Sequence, residues 1–290
     1  MRTPIIIVAF VLVMQPARLW ASFEGSTDGA RSRAMGRAFV SLGDDASTIF
    51  TNAAGLVTAG TTALYGDYTE PPGTDVSSIA KGCAVIPAWG VVAGAGWYRL
   101  GRTGGITENI FTAGVARTVL QGTQGSFLSV GASLCVGRIL SDSVCGPCGG
   151  RSSESAVTGD VGIMLRPLPI ISLGYSVTNV RDSGFDLVGS NWPRVHRWGM
   201  SYFWEGRVVI SFQQEHVGGE VRRQYGFSVR TALPVELMGG YSGGSASGGI
   251  RLLIDRFRAV AAFSSSEQFG AEYWVSLEVL VGRPAGENKP

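Results

Sequence analysis

Cys145-Gly146-Pro147-Cys148 is the stretch of this chain whose residue types most directly suggest chemistry. A Cys-X-X-Cys pair exchanges thiols and disulfides when it sits at a helix N-terminus that follows a strand, which lowers the thiol pKa. Here the four residues lie in a Gly/Ser loop that continues as Gly149-Gly150-Arg151-Ser152, with no helix signal. That setting reads as a small loop disulfide between Cys145 and Cys148, or a link to another loop, in an oxidising compartment. No histidine lies nearby, so a metal site is not expected there. Cys83 and Cys135 fall within strand-like segments, and whether they pair depends on geometry. The two histidines, His196 and His216, have no metal-ligand spacing and no Ser/Asp arrangement around them. They read as residues of a lumen or rim rather than as catalysts. Gly239-Gly240-Tyr241-Ser242-Gly243-Gly244 lacks the lysine and following helix of a phosphate-binding loop and reads as a tight hairpin. The sequence therefore predicts no enzyme, no cofactor and no metal.

The elements that would carry these residues are set by the compartment. Arg2 followed by the apolar run Ile5–Met14 has the layout of a signal peptide, with Ala21 as the small residue at the cleavage point. The run is too short for a membrane-spanning helix, which needs ~20 residues. Beyond residue 21, Gly or a charge interrupts every apolar stretch. The formal charge is +2, and loss of Arg2 and Arg18 with the leader leaves the chain balanced. Nucleic acid is thereby excluded as a partner, because its binding needs a basic excess. The 42 glycines are about twice the usual share. An exported, Gly-rich chain without a hydrophobic helix points to β-structure.

From Thr61 onward, alternation with a period of two recurs along the chain. Tyr273, Val275, Leu277, Val279 and Val281 share one face against Trp274, Ser276 and Glu278. Val157, Val161, Ile163 and Leu165 oppose Thr158, Asp160, Met164 and Arg166. Trp198, Met200, Tyr202 and Trp204 oppose Arg197, Gly199 and Ser201. Each such segment has the length of a tilted strand crossing a bilayer, about ten residues, and the chain accommodates about fourteen of them. Connections on one side are short, as at Glu205-Gly206 and Asp255, while several on the other are long and polar, as at 139–154 and 181–193. A soluble sandwich has no reason to sort loops by side. The expected fold is an all-β transmembrane antiparallel barrel over 61–281, with a signal peptide at 1–21 and a tail at 282–290. Trp89 and Trp204 at the short turns, with Trp97, Trp192 and Trp274 near the long loops, are expected to form two interfacial girdles.

Residues 22–60 are too small and mixed to face lipid, and they read as a compact segment folding back into the lumen as a plug. Asp44 and Asp45 are expected to cap a short helix running to about Phe50, with Asn52-Ala53-Ala54-Gly55 as its stop and turn. The stretch ARSRAMGRAFVSLGDDASTIFTNAAGL, Ala30–Leu56, resembles the N-terminal hatch signature of FadL-like outer-membrane proteins, in particular the PorV/PorQ-type branch. The matching residues are Gly29, Ala30, Arg31, Met35, Gly36, Ala38, Phe39, Val40, Leu42, Asp44, Asp45, Asn52, Ala54, Gly55 and Leu56. Ala53 stands where that pattern has Pro, Arg37 where a second Gly is common, and the chain trails past Val281 instead of ending on an aromatic residue. The resemblance implies a fourteen-stranded barrel in a Gram-negative outer membrane, in contact with outer-membrane lipid. It also implies passive transport of small hydrophobic, fatty-acid-like molecules. The gate would be residues 36–56, starting at Gly36, with Phe39 and Phe50 as apolar contacts, Asp44 and Asp45 as the cap, and Asn52, Ala53, Ala54 and Gly55 as a hinge-like turn. The PorV-type branch implies a second reading, a component of a protein-secretion system that binds cargo or secretion-system proteins. A third is a structural or adhesive surface barrel acting through its longer loops.

Overall fold

The computed structural model describes residues 28–71, 76–142, 152–181, 183–185, 190–266 and 270–281. The leader 1–21, the Cys145–Cys148 motif and the tail 282–290 lie outside the described residues.

Fourteen strands form one closed antiparallel barrel. In chain order they are β1 (Thr62–Thr69), β2 (Val76–Ala88), β3 (Val91–Arg102), β4 (Ile106–Gln121), β5 (Phe127–Ser141), β6 (Ser152–Leu168) and β7 (Ile171–Thr178), then β10 (Val195–Trp204), β11 (Val208–Val217), β12 (Glu220–Arg230), β13 (Val235–Ser242), β14 (Ser245–Ile254), β15 (Phe257–Ser266) and β16 (Gly270–Val281). Between β7 and β10 runs a two-stranded ribbon, β8 (Gly184–Phe185) and β9 (Ser190–Asn191), which the alternation did not reveal because each arm is two residues long. The barrel closes by pairing β1 with β16, from Thr62 opposite Val281 to Thr69 opposite Trp274.

Period-2 alternation decides which face is which. On β16, Tyr273, Val275 and Leu277 are exposed on the outside, whereas Trp274, Ser276 and Glu278 are buried inside. The same parity puts Leu64, Phe111, Leu134, Ile163, Met200, Ile210, Phe227 and Ile250 outside. It puts Asp67, Lys81, Glu108, Arg197, Glu215, Glu236 and Arg251 inside. An apolar belt around a charged interior suits a barrel surrounded by hydrocarbon, where closure satisfies every strand N–H and C=O.

Two of the five tryptophans assigned to girdles face the other way. Trp89 and Trp204 are exposed at the short-turn end and Trp97 is outward, but Trp192 and Trp274 are buried inside the barrel. Parity explains Trp274, since it alternates with the outward Tyr273 and Val275. Trp192 stacks on Phe185 of the ribbon, with ring centroids 6.3 Å apart. The outward aromatics at the long-loop end are instead Tyr68, Trp97, Tyr175, Trp198 and Tyr273.

Turn chemistry fits the connections. Trp89-Gly90 and Glu205-Gly206 have positive φ at both positions, as does Gly243-Gly244 between β13 and β14. Two consecutive positive φ values make the tight turn whose twist matches antiparallel strands. Cys83 and Cys135 are buried free thiols and do not pair.

Candidate functional site

Residues 28–60 lie inside the barrel. The short helix α1 (Ala30–Ala34) packs against β13–β16, while two 3₁₀ turns, Ala46–Phe50 and Ala53–Ala59, pack against β1–β6. Contact with opposite arcs of the wall places the segment across the lumen, and nearly all of its residues from Asp28 to Leu56 are buried.

Each residue singled out in the sequence has a definite place there. Gly36 has φ +60°, and a Cβ on it would run into the backbones of Tyr225 and Tyr241. Its N–H donates to Ser247 Oγ at 3.1 Å. The N–H groups of Phe39 and Val40 both donate to Oε1 of Gln213, at 3.1 and 2.8 Å. Ser41 Oγ meets Ser201 Oγ at 2.7 Å. Asp45 is the capping residue: it accepts from the N–H of Ser47 at 3.0 Å, while Asp44 instead forms an ion pair with Arg31. Asn52 caps the second turn by accepting from Ala54 N–H at 3.1 Å. Its Nδ2 donates to the carbonyls of Val40, at 2.8 Å, and Ile163, at 3.3 Å. Ala53 and Ala54 follow, with Gly55 pressed against Gly43 and Thr48.

The wall is shaped to receive this segment. A Cβ on Gly174 would strike the Val40 carbonyl, one on Gly226 the Met35 carbonyl, and one on Gly240 the backbone of Gly36. Gly131 and Gly162 give way in the same manner to Ala53, Ala54 and Asn52. These five glycines are therefore a footprint on the inner wall, a role that composition alone could not disclose.

Two charge networks hold the segment to the wall. Arg31 pairs with Asp44 and with Glu236 at 2.8 Å. Arg251 lies 3.4 Å from Glu236 and 3.6 Å from Glu278. Arg258 is 3.1 Å from Glu278, which accepts from the N–H of Ala46 at 3.0 Å. In the second network Asp28 pairs with Arg37 at 3.4 Å, and its carbonyl accepts from Lys81 Nζ. Arg33 lies over the Trp274 ring, 4.7 Å from the centroid. Burial pushes the Asp28 carboxyl up, but Arg37, Arg33, Arg197 and Lys81 together bring it below the ordinary carboxylate value. Burial works against charge on Arg31 too, yet Asp44 and Glu236 raise its pKa. Arg33, disfavoured by burial and by Arg37, falls to about 10. Asp45 is raised by burial and by the neighbouring Asp44. Removing one partner from such a buried network strands the other charge, at a cost of roughly 3–5 kcal/mol.

Above Phe50, toward the long-loop end, is a cavity of about 40 Å³. Phe50, Tyr98, Ile110 and Trp192 form its apolar lining, and Cys135, Asp160, Arg197 and Glu215 its polar lining. On the lipid-facing side of the wall is an open groove of about 470 Å³, bordered by Ala132, Leu134, Val157, Val161 and Val180. Asp160 borders both spaces. The wall changes character there. The β6–β7 ladder ends at Val161 opposite Val177, while β6 continues to Ser152. Past that point the non-strand residues Asn179 and Val180 close the gap. The Asn179 N–H donates to Asp160 Oδ1 at 2.7 Å and the Val180 N–H to the Gly159 carbonyl at 2.9 Å. Sequence reading placed Asp160 on the polar face but had no signal for this seam, which depends on where β7 stops.

In fold the chain is similar to solved outer-membrane channels. The Ralstonia pickettii toluene transporter TbuX superimposes with a TM-score of 0.68 at 12% identity, over 90% of this chain and 100% of that one. The P. putida toluene transporter TodX gives 0.67 at 13% identity, over 89% and 99%. A Pseudomonas aeruginosa FadL homologue gives 0.59 at 10%, over 86% and 97%. The likeness is one of fold. No family model and no curated protein matches the sequence.

Proposed function

We propose that this protein is an outer-membrane channel for passive uptake of small hydrophobic molecules, with the inner segment as its floor and the β6–β7 seam as its exit into the bilayer. The observation that carries the reading is Asp160, which borders both the aromatic cavity in the lumen and the apolar groove on the lipid side. The similar channels named above are transporters of toluene in two cases, which agrees with a hydrophobic cargo. At about 40 Å³ the cavity is smaller than the ~150 Å³ that admits benzene, so a cargo must displace a side chain. Phe50 carries the moving contact in this proposal, while Gly36, Phe39, Asp44, Asp45 and the Asn52–Gly55 turn hold the floor in place.

The test is purification from outer membranes in mild detergent without delipidation, followed by mass spectrometry of what co-purifies. A small hydrophobe near one equivalent, depleted in Phe50→Trp, is the expected result. A stable protein partner with no bound hydrophobe would overturn it in favour of a secretion-system component.

A further inference from the structure

The chain contains two histidines, twenty positions apart in sequence, and the fold sets them directly opposite each other: His196 on β10 pairs with His216 on β11. Both share the outward parity of Trp198 and Met200, at the long-loop end of the apolar belt, and both are partly exposed. Their flanking cross-strand neighbours are Val177 and Val221. One nitrogen of each ring is already held: Tyr175 Oη lies 3.0 Å from His196 Nδ1, and the Gln214 side-chain amide lies 2.8 Å from His216 Nε2. The Gln214 amide N–H donates to His216 Nε2, so the lone pairs an outside partner can take are those of His196 Nε2 and, once the Gln214 amide turns aside, of His216 Nε2.

We propose that His196 and His216 form a bidentate site for a divalent transition-metal ion of the Cu²⁺, Ni²⁺ or Zn²⁺ type. Directly opposed residues on antiparallel strands have Cβ atoms about 4.5–5.5 Å apart. That spacing lets two imidazoles each place a nitrogen at the roughly 2.0–2.1 Å a metal–imidazole bond requires. Imidazole suits these ions, and Cu²⁺ binds tightest in the series. Tyr175 Oη, accepting from His196 Nδ1–H, is of the kind of partner that orients a metal-binding imidazole through its second nitrogen. Among the described residues, no group of three or more His, Cys, Asp and Glu side chains gathers for a metal. The site is therefore an open one, its remaining positions filled by water or by anionic oxygens at the membrane boundary. No spacing rule finds it in the sequence, because the two ligands meet only through strand register.

The probe is Cu²⁺ alone, titrated calorimetrically and by electron paramagnetic resonance into chelator-stripped full-length protein purified without a histidine tag. One saturable ion per chain with hyperfine coupling to two imidazole nitrogens is expected. His196→Ala and His216→Ala should each weaken binding by more than about tenfold, and Tyr175→Phe by about tenfold or less. Heat-dependent gel mobility verifies that each variant is a folded barrel. The absence of saturable binding, or a His196→Ala/His216→Ala double variant that binds Cu²⁺ like the native protein, would overturn the assignment.

Discussion

Asp44 and Asp45 are adjacent in sequence and do different work. Asp44 neutralises Arg31, whereas Asp45 caps the Ala46–Phe50 turn from a fully buried position next to a like charge. Asp45→Ala removes the acceptor for Ser47 and should cost about 1 kcal/mol of local stability. Asp45→Asn keeps an acceptor and removes the repelled charge, so it should stabilise the turn at neutral pH. The sign follows from linkage. The folded-state pKa of Asp45 lies above its unfolded value, so its charge destabilises the turn at pH above the folded value, and that cost disappears as pH falls through it. Asp28 is the reverse case: its lowered pKa gives stability present above the ordinary carboxylate value and lost as pH falls through the folded one. Hydrogen exchange at the Ser47 amide, corrected for intrinsic rate, checks this. Exchange should be slower in Asp45→Asn than in the native protein at pH 7, with the gap closing on acidification, and faster in Asp45→Ala throughout. A gap that does not change with pH would remove Asp45 ionisation from the account.

At the scale of elements, the seating of the inner segment rests on glycines in strands. Gly226 is inward on β12, and any side chain there meets the Met35 carbonyl. Gly226→Leu should therefore unseat the segment and expose Arg31, Arg33 and Arg37, buried or nearly so in the native protein, to trypsin. Gly82→Leu, where a Cβ meets no atom closer than the Tyr65 carbonyl at 3.7 Å, is the control and should stay protected. Equal protection in both variants would mean that the segment does not depend on this fit. The strands themselves were legible because a charged interior and an apolar exterior impose a two-residue alternation, which is broken locally where the register shifts in β2, β4 and β6. The Asp45 cap was legible because capping is local, whereas Asn52, read as part of the stop of the first turn, caps a second one, Ala53–Ala59. The glycine footprint was not, since Gly226 and Met35 are distant in sequence and a strand glycine looks the same whatever lies across the lumen. The inward Trp192 and the β8–β9 ribbon were missed for a related reason, since a two-residue arm shows no period and packing turns its aromatic inward.

For the whole molecule, the proposed uptake function turns on whether cargo leaves along the barrel axis or through its side. An axial path must displace a segment bonded to the wall at Gln213, Ser201, Ser247, Glu236 and Glu278, whereas a lateral path must part the bonds that run from Asn179, Val180, Arg181 and Ser183 to Asp160, Gly159, Thr158 and Val157. The lateral path breaks fewer buried contacts, each net worth roughly 0.5–1.5 kcal/mol for a neutral hydrogen bond. Two disulfide locks separate the routes. Ser41→Cys with Ser201→Cys, whose hydroxyls lie 2.7 Å apart, pins the floor to β10. Gly159→Cys with Val180→Cys, bonded neighbours across the seam, pins the exit. In cells given a radiolabelled aromatic hydrocarbon, the floor lock should leave uptake near the native rate, while the seam lock should abolish it until a reductant is added. The opposite pattern would move the route to the axis and make the whole inner segment, rather than Phe50 alone, the moving part.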